Sequence, residues 1–180
     1  MAAAMANDMV VENIIPQHLD AILMKLKEIG IQMEVGTDFV HITGRKPELK
    51  ATEILTKPYP GFATDVQQPF SVLLTQANGQ STVTETIYSE RFKHCDELNR
   101  MGADIGVRIP SWFIRGKTRL YGSKVRATDL RCGAALVVAA LMAEGVTEIH
   151  DVYHIDRGYD NLDGKLAQLG AKLWREEVED

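Results

Sequence analysis

Ala63-Thr64-Asp65-Val66-Gln67 and Ala127-Thr128-Asp129-Leu130-Arg131 open two stretches of this chain that run in parallel. Each leads into an apolar run of helical character. Each then reaches a glycine, Gly79 or Gly145, and a short β-like segment, Ser81-Thr82-Val83-Thr84-Glu85 or Val146-Thr147-Glu148-Ile149-His150. Each segment leads to an arginine, Arg91 in Tyr88-Ser89-Glu90-Arg91-Phe92 and Arg157 in His154-Ile155-Asp156-Arg157-Gly158-Tyr159. A second helix follows and ends alike in both, as Leu98-x-x-Met101-Gly102-Ala103 and Leu166-x-x-Leu169-Gly170-Ala171.

Working outward, a third copy is already in progress at the start of the chain. Val10-Val11-Glu12-Asn13 fits its strand. Leu19 to Gly30 fits its second helix, with Leu19, Ile22, Leu23, Leu26 and Ile29 on one face at helical spacing. Gly30, Gly102 and Gly170 fall where each helix must stop, and glycine accepts the left-handed turn that closes it. The pairs Ile31–Val35 with Phe39–Thr43, and Asp104–Ile109 with Trp112–Arg115, read as hairpins. The stretch from Arg45 to Phe62, with Pro47, Pro58, Pro60 and Gly61, reads as an extended connection. The unit is helix, strand, helix, two strands, at a period of about 65–70 residues, and its copies span approximately 1–44, 63–116 and 127–176. One α/β domain over 1–180, incomplete in its first unit, is expected. A chain that opens inside a unit suggests an N-terminal portion that is missing or encoded elsewhere.

Composition limits the function. With 180 residues, 45% of them hydrophobic, one sizeable core can be buried. A formal charge of −5 with both signs interspersed gives no basic face for nucleic acid. The longest apolar stretch, Cys132 to Ala143, is too short to span a bilayer and reads as a buried helix. Met-Ala-Ala-Ala-Met at the start lacks the pattern of a secretory signal, and a cytoplasmic protein is expected. Cys95 and Cys132 show neither metal-type spacing nor a disulfide framework, and neither is marked as a nucleophile.

The candidates for chemistry are few. Asp65 and Asp129 each follow a threonine at a helix start, where capping of free backbone N–H groups is the ordinary reading. The functional alternative is a carboxylate placed at a substrate hydroxyl, or a helix end opened to an anion. Arg131, in a helix's first turn, opposes the dipole and so suggests a partner elsewhere. Arg91 and Arg157 hold equivalent places after a strand, where loops present ligands. They are either ordinary surface cations or, with Arg131, a cluster able to grip phosphate and carboxylate bidentately. His94 and His154 read as packing histidines, with no metal-binding pattern around them. Glycine-rich phosphate loops are absent, and no cofactor or metal is expected.

These same residues carry a resemblance. Phe62-Ala63-Thr64-Asp65-Val66-Gln67, Thr84-Glu85-Thr86-Ile87-Tyr88-Ser89-Glu90-Arg91-Phe92, Arg126-Ala127-Thr128-Asp129-Leu130-Arg131 and Tyr153-His154-Ile155-Asp156-Arg157-Gly158-Tyr159 resemble the UDP-N-acetylglucosamine 1-carboxyvinyltransferase family, from about Val10 to Glu177. The last two motifs separate that family from the related shikimate-pathway enolpyruvyl transferases. The resemblance implies an inside-out, barrel-like α/β domain of the enolpyruvyl transferase type, of which the chain would supply most of the second of two domains. It implies transfer of enolpyruvyl from phosphoenolpyruvate to the 3-hydroxyl of UDP-N-acetylglucosamine, the first committed step of peptidoglycan synthesis. By motif, Asp65 would be the general base and touch the sugar hydroxyl, and Thr64 would line the same pocket. The backbone of Ile87 would contact the sugar nucleotide. Arg91, Arg131 and Arg157 would help to hold phosphate and carboxylate, and Asp129 would organise those arginines. The family's proton-donating cysteine and a lysine near its N-terminus belong to the first domain. Neither Cys95 nor Cys132 matches that cysteine, so the chain alone is expected to turn over little or no substrate. A non-catalytic UDP-sugar-binding module and an inert remnant are the alternatives.

Overall fold

A computed structural model of the chain describes residues 8–177. The opening Met-Ala-Ala-Ala-Met and the outer ends of the 1–180 and 1–44 ranges lie outside the described residues. The first strand, β1 (Met9–Glu12), is followed by a 3-10 turn (Pro16–Leu19) and helix α1 (Asp20–Ile29). Leu23, Leu26 and Ile29 of α1 are buried while Met24 faces out, as the helical spacing requires. Gly30 closes α1 at φ 111°, its N–H donating back to the Leu26 and Lys27 carbonyls. β2 (Ile31–Val35) and β3 (Phe39–Arg45) then form the expected hairpin, and β1 adds antiparallel to β3, giving the order β1-β3-β2.

The connection to the next copy is more regular than expected. It contains two short strands, β4 (Leu49–Lys50) and β5 (Glu53–Leu55), both pairing parallel to β6 (Ala77–Thr84). Their partner lies more than twenty residues downstream, so no local pattern announces them; only Leu49 and Ile54, both buried, hint at the pairing. Helix α2 (Gln67–Leu74) crosses between β5 and β6. β6 then pairs antiparallel with β8 (Ser111–Gly116), which pairs with β7 (Ile105–Arg108) across the second hairpin. The order β6-β8-β7 repeats β1-β3-β2. Gly79 lies inside β6, opposite Gly116, and not ahead of the strand. Helix α3 (His94–Arg100) lies between β6 and β7.

The last stretch gives β9 (Lys124–Arg126), helix α4 (Leu130–Ala140) and β10 (Glu148–His150), with β9 and β10 parallel. The second helix of this copy is split into α5 (Tyr153–Asp156) and α6 (Leu162–Gln168). Helices occupy the middle and sheets the outside. Every residue of α2 is buried, α2 packs directly on α4, and β3 and β8 alternate buried with more exposed positions. Phe70, Leu73, Leu74, Leu98, Trp112, Ile114 and Leu136 form the centre, each worth about 1.5–3 kcal/mol of burial. The α/β fold of inside-out type agrees with expectation. Among the described residues the strands pair as three separate sheets.

Candidate active site

Helix α2 starts later than the sequence suggests. Its N-cap is Val66, no side chain caps it, and Asp65 lies in the turn before it, closed by the Val66 N–H on the Ala63 carbonyl. Capping therefore does not account for Asp65. Its side chain is 62% exposed, and its Oδ1 receives Nη1 of Arg91 at 3.1 Å and Nε of Arg131 at 2.5 Å. Arg91 comes from the loop after β6, and Arg131 is the second residue of α4. One carboxylate oxygen thus ties two successive copies together. Asp129 behaves as the ordinary reading holds: its Oδ1 caps α4 by accepting the N–H groups of Arg131 and Cys132 at 2.8 and 3.1 Å. The carboxylate that bridges the two arginine side chains is that of Asp65, while Asp129 touches Arg131 through its backbone N–H at the helix end.

Exposed ion pairs contribute about 0–1 kcal/mol each, so the arrangement does more for geometry than for stability. Arg131 does find its partner outside its own helix. Arg91 is further fixed by donating from Nη1 to Oγ1 of Thr64 at 2.7 Å, and its guanidinium lies 4.1 Å from the centre of the Tyr88 ring.

Behind this rim sits a residue that was read only as the end of a strand. Glu85 is 2% exposed. Its Oε1 accepts from Oγ1 of Thr56 at 2.8 Å, from the Ile87 N–H at 2.7 Å and from the Tyr88 N–H at 3.1 Å. Its Oε2 accepts from Oγ1 of Thr64 at 2.6 Å and, more weakly, from Nε2 of Gln67 at 3.5 Å. Burial pulls this carboxyl upward, but the bonds from Thr64, the Ile87 N–H, Thr56 and the Tyr88 N–H outweigh it and leave it below its ordinary value. The repeat carries only a faint signal for it: Asp151 stands to Arg157 as Glu85 stands to Arg91, but Asp151 binds an arginine, Arg126, at 2.7 Å, whereas Glu85 is held by hydroxyl, amide and backbone donors.

Of the other candidates, Ile87 is 38% exposed beside Thr64 and Arg91, with its N–H given to Glu85. Arg157 caps the end of α5 and is exposed; among the described residues its guanidinium makes no hydrogen bond or ion pair. Its neighbour in the chain packs at the start of α4, the helix that carries Arg131. Gly158 presses on Leu130 at the start of α4, where a Cβ would fall 2.8 Å from the leucine side chain. The structure thus joins Asp65, Thr64, Arg91 and Arg131, sets Ile87 and Arg157 nearby, and leaves Asp129 behind its helix end. His94 is fully buried, edge-on to Trp112 at 5.3 Å, and burial lowers its pKa to about 3. Cys95 and Cys132 are fully buried, and burial pushes both thiols up. A groove of about 400 Å³ reaches Asp65 from the interior side, but its walls are apolar, among them Leu23, Leu26, Val40, Ile42 and Val138. The polar chemistry lies at its rim. Among the described residues no helix is long and apolar enough to cross a membrane.

The chain is similar in sequence and in fold to known enolpyruvyl transferases. The chain is 55% identical over 179 residues to UDP-N-acetylglucosamine 1-carboxyvinyltransferase 2 of Geobacillus kaustophilus, which takes in 99% of the chain and 42% of that protein. It is 52% identical to the Bacillus subtilis protein of the same name, again over 99% of the chain and 42% of the relative. The chain therefore spans about two-fifths of the length of these relatives. The crystal structure of the enolpyruvyl transferase NikO from Streptomyces tendae matches with a TM-score of 0.87 at 26% identity, covering 95% of this chain and 41% of that one. EPSP synthase from Acinetobacter baumannii shares the fold, with a TM-score of 0.63 at 20% identity over 88% of this chain and 41% of its own. A family model matches residues 1–166, most of the chain, and with the relatives and the fold in agreement the chain belongs to the EPSP synthase (3-phosphoshikimate 1-carboxyvinyltransferase) family.

Proposed function

We propose that this chain, read as one domain of three units over 1–180, forms one wall of the active site of a UDP-N-acetylglucosamine enolpyruvyl transferase. The observation that carries the proposal is the bridged carboxylate: Asp65 sits exposed at a rim with Arg91 and Arg131 on a single oxygen. Among the described residues its second oxygen, Oδ2, makes no hydrogen bond. In the proposed reaction Oδ2 takes the proton from the 3-hydroxyl of UDP-N-acetylglucosamine as that oxygen bonds to the central carbon of phosphoenolpyruvate. A proton goes to the methylene carbon. The carbon–oxygen bond to phosphate then breaks and a proton is lost, which restores the double bond in the product.

Arg91 and Arg131, held by Asp65, supply fixed cations for the phosphate and carboxylate groups as charge develops, and Arg157, with its guanidinium unengaged among the described residues, adds a third. Thr64 and Ile87 border the sugar. The Ile87 N–H is occupied by Glu85, which leaves the carbonyl as its backbone contact. Asp129 serves the site through Arg131, by fixing the first turn of the helix that carries it. The proton donor to the methylene comes from the first domain, a partner polypeptide or segment, since both thiols here are buried. No cofactor is involved. The phosphorylated substrates make the reaction cytoplasmic, at the entry to peptidoglycan synthesis.

The test is reconstitution. A first domain taken from a relative, mixed with this chain, phosphoenolpyruvate and UDP-N-acetylglucosamine, should release phosphate, whereas the chain alone should not. Family-like turnover by the chain alone, or none by the mixture when calorimetry shows that the two parts bind, would sink the proposal.

A further inference from the structure

We propose that Glu85 is a positioning residue for this rim: its buried carboxylate sets Thr64 and Ile87, and through Thr64 sets Arg91, to receive the sugar nucleotide. The inference rests on the function proposed above and adds a residue that the resemblance does not assign. Five groups converge on the carboxylate. They come from the strand exit before α2 (Thr56, Thr64), from α2 itself (Gln67) and from the loop after β6 (Ile87, Tyr88). All five are donors, and an ionised carboxylate is the one side chain of this size that only accepts. From Oε2 the connection runs outward: the Thr64 hydroxyl donates to Glu85 and accepts from Arg91, which in turn binds Asp65. A hydroxyl has one hydrogen, so its donation to Glu85 leaves its lone pairs facing the guanidinium. Glu85 thereby fixes which way Thr64 points.

The same carboxylate orients the other side of the site. By holding the Ile87 and Tyr88 N–H groups on Oε1, it aims the loop that carries Ile87 and sets the Tyr88 ring under Arg91. A purely structural role, stapling β5 to β6, would need only the bond from Thr56. Glu85→Gln keeps the size but replaces one acceptor with an NH2 donor, which must face either the two backbone N–H groups or Thr64. Hydrogen bonds to charged groups are strong enough that the loss should show as roughly a tenfold or larger weakening of ligand affinity.

The experiment is calorimetric titration of the 180-residue chain with UDP-N-acetylglucosamine, with amide hydrogen exchange at Ile87 and Tyr88 read by NMR. We expect Glu85→Gln and Thr64→Val each to weaken binding about tenfold or more, the double variant to be no worse than the weaker single, and Thr64→Ser to restore it. Ser71→Ala, which removes the buried acceptor of the Trp112 indole N–H and no donor to this carboxylate, should lower the unfolding midpoint and leave affinity alone. Affinity of Glu85→Gln within about twofold of the unaltered chain, or effects of Glu85→Gln and Thr64→Val that multiply, would overturn the proposal. Should Glu85→Gln not fold, unchanged affinity in Thr64→Val overturns it from the other end of the same link. If the unaltered chain binds no sugar nucleotide, the proposed function falls first. The amides then decide: faster exchange at Ile87 and Tyr88 in Glu85→Gln sustains the positioning role, and unchanged exchange removes it.

Discussion

Asp65 and Asp129 stand in the same Ala-Thr-Asp sequence, yet only Asp129 reaches the backbone of the helix that follows. The difference is where each helix begins: α4 starts at the next residue, whereas α2 starts after a further turn. Asp129→Ala should therefore cost about 1 kcal/mol of stability, read from the urea midpoint, as loss of a cap does. Asp65→Ala should change that midpoint by no more than about 0.5 kcal/mol, since its ion pairs are exposed, yet in the reconstituted transferase it should cut phosphate release by about a hundredfold or more. His94 gives a third expectation. The unfolded chain takes up a proton near the ordinary histidine value, but the buried ring resists one until about pH 3, where burial outweighs the upward pull of Asp129. Stability should fall as pH drops below about 6.5, at up to roughly 1.4 kcal/mol per unit, and His94→Gln should flatten that slope. Glu85 acts in a lower window. Its folded value is depressed, so its contribution is full above the ordinary glutamate range and is lost as pH falls through the folded value. At this scale the site was half legible. The repeat singled out Asp65, Arg91 and Arg131, but Glu85, in an alternating run of threonines, looks like any solvated strand end until its donors are brought to it by residues far away in sequence.

Among the elements, what the sequence made plain was local. The α1 helix, the two hairpins and the buried α4 each follow from a period of apolar residues or from a turn; α1 and the hairpins appear within two residues of their expected bounds, and α4 begins two residues earlier and ends three earlier than the apolar stretch from Cys132 to Ala143. What stayed hidden depended on distant partners: β4 and β5 exist because β6 lies beside them, and the last helix breaks into α5 and α6 where the chain passes Leu130. The helix-closing glycines allow a graded test. Gly30, Gly102 and Gly170 all have φ between 94° and 111°, so alanine is strained at each by roughly 1–2 kcal/mol. Their surroundings differ. A Cβ at Gly102 would fall 2.9 Å from the Arg119 carbonyl oxygen, at Gly30 3.4 Å from Lys46 Cβ, and at Gly170 it would meet nothing within 4 Å. Urea denaturation should rank the losses Gly102→Ala, then Gly30→Ala, then Gly170→Ala. Equal losses would mean that backbone strain alone sets the cost.

For the whole molecule, the fold class was available from the repeat, and the helices at the centre with sheets outside follow from α2 being buried on every side, its polar Gln67 and Ser71 hydrogen-bonded inside, and from the small and apolar residues of α4 beyond Arg131. The way in which three sheets share one core was not, because it depends on contacts between copies that no single stretch encodes. The bond from Arg131 to Asp65 joins residues 66 positions apart, one in each of two copies. A chain whose last unit has come undocked loses Arg131 and Arg157 from the rim and keeps only the half built from Thr64, Asp65 and Arg91, even if every secondary element survives. On the function proposed above, affinity for the sugar nucleotide then becomes a gauge of assembly, and it should drop at the denaturant concentration where α4 lets go, ahead of any loss of circular dichroism from the hairpins if that unit frays first.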